Sequence, residues 1–323
     1  MTNRPVVQLR TDVSCQAKVV HALATTFLWP VMIAGPIASW SMPFFGLLES
    51  AAGLRRRPRW ATYEPVGFDG FNAEWTRAKD ASDDGVVLYF HGGAFLMCGI
   101  ATHRPTVAAI SRATGLPVLS VAYRQLPAVP LVGSIADCLT SYQYLMSQGY
   151  APERIVFAGD SAGGHLAFAT ALQAVADGLP TPAAIIAMSP WLDLNCETKF
   201  AHPNSKKDAY APVQRLPKLV HMLTDGVVPT DPLLSPVNHD LSAMPPCLLI
   251  AAEGEMLRCD SELMAERLAA AGVPVTLQIW EGQVHAFAAM YGLVPEADRA
   301  IREIGSFVRR MLGAGAVAEQ KAS

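Results

Sequence analysis

Short apolar runs recur along the chain, each followed by a longer stretch in which apolar positions return every three or four residues. Val86–Phe90, Val118–Tyr123, the run from Ile155, Ala184–Met188, Leu248–Ala252 and Val275–Trp280 are brief and mostly apolar. That pattern predicts buried strands. Between them, residues 104–114, Ile135–Met146, the stretch through Leu166, Phe168, Leu172 and Val175, Ser261–Ala271 and Glu296–Met311 carry helical spacing. Tyr63–Ala78 reads as one or two edge strands. Strands alternating with helices predict an α/β fold, a mostly parallel sheet with helices on both faces. Such sheets carry their sites at the carboxyl ends of the strands.

Three stretches break the alternation. Residues 1–18 are polar and mixed, and Val19–Leu48 then runs thirty residues without Asp, Glu, Lys or Arg. Its length would allow a membrane span. Pro30, Pro36 and Pro43 with Gly35 and Gly46 interrupt any single helix there, and no good signal-peptide cleavage pattern follows. The favoured reading is a helical lid over an apolar site, with Trp29, Met42, Phe44 or Phe45 lining it. Peripheral membrane or lipid contact through residues 19–48 is the competing one. The second break, Trp191–Pro246, is a long Pro-rich interruption and reads as an insertion with a helix at Val213–Leu223. The tail after Gly313 reads as disordered, and no internal repeat is present.

Composition changes this picture only at the margins. The chain has 323 residues, 51% of them hydrophobic, enough for one large core and too many for a disordered chain. Net charge is −3 and no basic stripe is visible, so nucleic acid is not an expected partner. The six cysteines are scattered without a C-x-x-C pair or metal-like spacing. Cys138 and Cys247 sit in apolar runs and read as buried free thiols, which fits a reducing, cytoplasmic compartment. A homodimer is left open.

Chemistry concentrates after the strands. Gly159-Asp160-Ser161-Ala162-Gly163-Gly164 joins an apolar run to a helical one, the G-x-S-x-G pattern of a nucleophile elbow. A serine hydroxyl is a poor nucleophile and must project from a tight turn where a base and a carbonyl carbon can both reach it. Small neighbours permit that turn, and the helix starting at the serine aims N–H groups at a developing oxyanion. His91-Gly92-Gly93-Ala94 directly follows Val86–Phe90. The N–H groups of Gly92 and Gly93 are read as an oxyanion hole shared with that of Ala162. Among eight histidines, only His285 lies in a loop just after the final strand, and it is the expected general base. An acid must orient it, and the loop after Leu248–Ala252 offers Glu253, Glu255 and Asp260.

Together these motifs resemble the hormone-sensitive-lipase-like carboxylesterases, a branch of the α/β-hydrolase fold. The resemblance rests on His91-Gly92-Gly93, on Gly159-Asp160-Ser161-Ala162-Gly163-Gly164, and on the Tyr123-Arg124 turn. Asp231-Pro232-Leu233-Leu234-Ser235-Pro236 and the block from Gly254 to His285 complete it, over roughly residues 60–310. His91 and Asp160 support the two loops as parts of those motifs. The family's acid stands thirty residues before the histidine, which points to Glu255 where an aspartate is usual. The resemblance implies a core of residues 51–190 and 246–312, with a two-part helical cap from residues 1–50 and 191–245 and a tail at 313–323. It also implies a serine carboxylesterase acting through an acyl-enzyme on a small-molecule ester of short-to-medium chain, with no cofactor and no metal. An amide deacylase with the same triad is the near alternative. A non-catalytic small-molecule or lipid receptor is the distant one, and the presence of His285 argues against it. Two departures remain. Ala94 replaces a third glycine, and Gln125-Leu126-Pro127-Ala128 lacks an acid expected to anchor that loop.

Overall fold

The structure is a computed structural model that describes residues 4–28, 30, 49–54, 56–209 and 212–322. Most of the expected lid, with Trp29, Met42, Phe44 and Phe45, lies outside the described residues. Nine strands form one sheet in the order β1-β9-β8-β7-β6-β4-β5-β3-β2. The strands are β1 Val6–Arg10, β2 Ala61–Gly67, β3 Asn72–Ala78, β4 Val86–Phe90 and β5 Val118–Ala122, then β6 Ile155–Asp160, β7 Ala184–Met188, β8 Cys247–Ala252 and β9 Val275–Trp280. Strands β4 to β9 and β1 are parallel, and the β2–β3 hairpin adds antiparallel at the β5 edge. The central strands β4, β6 and β7 are buried on both faces, which is why their sequences are continuous apolar runs rather than alternating ones.

Eight helices with described bounds accompany the sheet: α1 Cys15–Leu23, α2 Ile100–Thr114, α3 Leu131–Ser147, α4 Ala162–Ala176, α5 Glu197–Ala201, α6 Leu216–Thr224, α7 Arg258–Ala270 and α8 Pro295–Ala322. One face of the sheet packs on α3, α4 and α7, together with apolar residues of the insertion such as Leu192, Leu219 and Leu223. On the other face Val107 and Ile110 of α2 meet Ile301, Ile304 and Val308 of α8. Cys138 and Cys247 are buried free thiols within the first of these layers.

Two elements depart from the sequence reading. Residues 6–10, taken as part of a polar cap segment, form β1, paired in parallel with β9 from Val6↔Thr276 to Arg10↔Trp280. As an edge strand it leaves Val6, Val7 and Leu9 more than half exposed, so it shows no inward-outward apolar alternation to detect. The closing helix α8 runs to Ala322, through residues 313–322 read as a disordered tail. That segment is alanine-rich and free of proline, a composition that favours helix. The insertion helix expected at Val213–Leu223 is a short 3₁₀ turn, Val213–Arg215, continued by α6. Among the described residues no helix is long and apolar enough to cross a membrane.

Candidate active site

Strands β4 and β6 are neighbours, with Phe90 opposite Gly159, but β5 continues the sheet beyond β4 and β7 beyond β6. The loops leaving their carboxyl ends therefore part, the usual position for a site in a parallel sheet. Ser161 stands there, directly after β6, at φ 51° and ψ −116°. A non-glycine residue at positive φ is strained and persists only where its surroundings hold it. Here Ser161 N–H donates to Met188 O at 2.8 Å, and Trp191 N–H donates to Ser161 O at 3.2 Å. The turn also needs Gly163, because a Cβ there would run into the Phe90 carbonyl.

His285 reaches the serine from the loop after β9, and Glu255 reaches His285 from the loop after β8. The registers of β7, β8 and β9 set Ala252 beside Trp280, so the loops after β8 and β9 leave the sheet side by side. Ser161 Oγ–H donates to His285 Nε2 at 2.9 Å, and His285 Nδ1–H donates to Glu255 Oε2 at 2.7 Å. The other carboxylate oxygen of Glu255 accepts the Ala252 N–H at 2.9 Å. The glutamate thus folds back on its own strand end, and its extra methylene is taken up within the loop. Glu255 is 1% and His285 6% exposed.

Burial disfavours the charged imidazolium of His285, but the hydrogen bond and charge of Glu255 outweigh it and hold the ring above the ordinary histidine range. Burial pushes the Glu255 carboxyl up, opposed by its bonds to His285 and to the Ser189 hydroxyl. Ser189 was not singled out from sequence. It follows β7 at φ 49°, and its Oγ accepts the Ala286 N–H at 3.0 Å, so it ties the acid loop to the histidine loop. A lone serine after a strand carries no distinguishing signal. Its strained backbone is visible only in three dimensions.

The other two carboxylates of the acid loop lie elsewhere. Glu253 is half exposed beside Arg258. Asp260 forms a buried ion pair with Lys199 Nζ at 2.7 Å and accepts the N–H groups of Leu192 and Asp193. The insertion brings a buried lysine to it, a contact between residues sixty-one positions apart that no local pattern encodes.

The oxyanion loop needs a correction. Gly92 N–H donates to Asp160 Oδ1 at 3.0 Å and is therefore not turned toward the serine. Asp160 also accepts from Tyr89 OH at 2.7 Å and lies 3.3 Å from His103 Nε2. His103 sits above its ordinary range, because Asp160 outweighs the cost of burial. His91 Nδ1–H donates to the Gly92 carbonyl, its ring stacks on Tyr123, and burial lowers it to about 4, so it is neutral. The N–H groups of Gly93 and Ala94 donate to no acceptor among the described residues. Gly93, at φ 125°, packs where a Cβ would meet the Met97 carbonyl. Arg124, whose loop lacks the expected acid, pairs with Asp137 of α3 at 2.6 Å instead. Among the described residues no group of three or more His, Cys, Asp or Glu is placed to hold a metal ion.

Comparison with known proteins follows the same lines. A family model described as the alpha/beta hydrolase fold matches residues 87–289. Esterase LipU of Mycobacterium tuberculosis is 38% identical over 299 residues, covering 88% of this chain and 99% of that protein. Carboxylesterase/phospholipase LipF of the same organism is 39% identical over 293 residues, covering 87% and 78%. A crystal structure of an esterase from the bacterial hormone-sensitive lipase family superposes with a TM-score of 0.85 at 31% identity, covering 93% of this chain and 99% of that one.

Proposed function

The chain belongs to the alpha/beta hydrolase fold family, in its hormone-sensitive-lipase-like branch of carboxylesterases, and from that premise we propose the roles of its residues in ester hydrolysis. The protein is a serine carboxylic ester hydrolase. Ser161 Oγ attacks the ester carbonyl carbon while His285 Nε2 takes its proton. The resulting imidazolium is stabilised by Glu255, which also fixes the tautomer that leaves Nε2 free to accept. The carbonyl oxygen becomes an oxyanion, held by the N–H of Ala162 at the start of α4 and by those of Gly93 and Ala94, which the Asp160 contact leaves over. His285 then protonates the departing alcohol, leaving an acyl-enzyme on Ser161. Water, deprotonated by His285, releases the acid and restores the serine.

The observation that carries this reading is the continuous relay Ser161–His285–Glu255, with contacts of 2.9 and 2.7 Å inside a buried strand-end site. The substrate is a small ester of short-to-medium acyl chain. Turnover of p-nitrophenyl esters should fall steeply beyond about ten acyl carbons, as expected of an enclosed pocket of bounded volume. A panel from acetate to palmitate on the purified protein, with Ser161→Ala as the blank, tests both points. Faster turnover of emulsified long-chain triglyceride than of soluble butyrate esters would overturn the chain-length reading. Full activity in Ser161→Ala would overturn the mechanism.

A further inference from the structure

One turn of the insertion after β7 grips the backbone that carries the acid. Asn204 Nδ2 donates to the carbonyls of Glu253 at 2.8 Å and Glu255 at 3.0 Å. Asp208 Oδ2 accepts the Met256 N–H at 2.8 Å. The two side chains stand one turn apart, linked by Asp208 N–H to the Asn204 carbonyl at 2.9 Å. They are buried, at 6% and 5% exposure. Peptide groups on both sides of Glu255 are therefore held by one short segment distant in sequence.

We propose that Asn204 and Asp208 are positioning residues for Glu255, so that the insertion sets the geometry of the acid. This rests on the triad reading above. The chemistry of each position is specific. Two carbonyl acceptors demand an amide –NH₂ at residue 204; an aspartate there would set a carboxylate against two carbonyl oxygens. At residue 208 a carbonyl oxygen is enough for the Met256 N–H, so asparagine can keep the hydrogen bond while removing the charge. That charge is felt in the relay. Among the described residues, the charged groups that act on His285 include Glu255 from the loop after β8, Asp208 from the insertion and Asp160 from the end of β6, and each favours the imidazolium. Asp208 also opposes ionisation of Glu255.

The test is the pH profile of kcat and kcat/KM on p-nitrophenyl butyrate for Asn204→Ala, Asn204→Asp, Asp208→Ala and Asp208→Asn, each confirmed folded by circular dichroism. Displacing a catalytic group by about an ångström costs up to roughly 100-fold in rate, so Asn204→Ala and Asp208→Ala should lose about 10- to 100-fold in kcat with KM little changed. Asn204→Asp should lose more than Asn204→Ala. Asp208→Asn should recover most of kcat while its acidic limb moves to lower pH, a signature that a merely structural residue would not give. Wild-type kcat and an unshifted limb in folded Asn204→Ala and Asp208→Asn would overturn the proposal. Ser161→Ala and Glu255→Gln are assayed alongside. If those two stay active, the triad reading fails; if they are dead while the insertion variants match wild type, only this inference fails.

Discussion

At the scale of single residues, the proposed acid is a glutamate where the family resemblance implied an aspartate, and the geometry accommodates it. One oxygen of Glu255 takes the imidazole N–H and the other returns to the Ala252 N–H, so the carboxylate spans two fixed donors. Glu255→Asp, shorter by a methylene, cannot hold both and should lose activity. Glu255→Gln should lose more, approaching ~10⁴-fold in kcat, because the amide cannot stabilise imidazolium and favours the wrong tautomer. Asp260→Asn should instead act on folding. It removes the carboxylate paired with the buried Lys199 and leaves only the more distant charge of Asp193, a change that costs up to about 3–5 kcal/mol when a buried pair is broken. That exceeds the loss expected of a helix cap, the role its sequence position suggests. Measuring kcat and urea unfolding for the three variants separates these effects; a dead but stable Asp260→Asn with an active Glu255→Gln would reverse the assignment.

Among the elements, the edge strand β1 illustrates a part of the fold hidden from periodicity. Arg10 pairs with Glu303 of α8 at 2.8 Å, and Ser14 N–H and Oγ–H donate to Glu296 at 2.6 and 2.9 Å, so the segment is pinned to the closing helix as well as to β9. Ser14 also caps α1 by accepting the Ala17 N–H. Deleting residues 1–12 uncovers the β9 edge, whose free N–H and C=O groups then invite pairing with other chains. The truncated protein should melt lower by about 2–5 °C, the shift expected of roughly one to three kcal/mol in a chain of this size, and should aggregate on concentration. Calorimetry and light scattering check this. An unchanged melting temperature and a monodisperse sample would show that β1 contributes nothing to the sheet.

For the whole molecule, the electrostatics of the relay predict the direction of its pH dependence. His285 must be neutral to accept the serine proton, and the charge of Glu255 beside it raises its pKa. Activity is therefore lost as pH falls through that raised value, and the acidic limb of kcat/KM should lie above the pKa of a free imidazole. In a Glu255→Ala background the residual activity should show this limb displaced toward lower pH, since burial then acts on the ring with less opposition. A limb that stays put would mean that another group titrates.

The sequence by itself determined the strands of the core, because a parallel sheet buried on both faces requires continuous apolar runs, and those runs are local. Ser161 and His285 were legible for a related reason: each sits in the loop that follows such a run. The proposed acid, Glu255, could be singled out only through the family resemblance, by its spacing from His285, since three carboxylates share one loop and nothing local distinguishes them. Tertiary structure decided the rest. It turned the Gly92 N–H to Asp160, set Lys199 against Asp260, added β1 to the sheet, and brought Ser189, Asn204 and Asp208 to the acid loop. Each of these is a polar or edge contact between segments far apart in the chain. A hydrogen bond depends on where two groups meet, whereas hydrophobic burial depends on what each residue is, and only the second leaves a periodic trace in sequence.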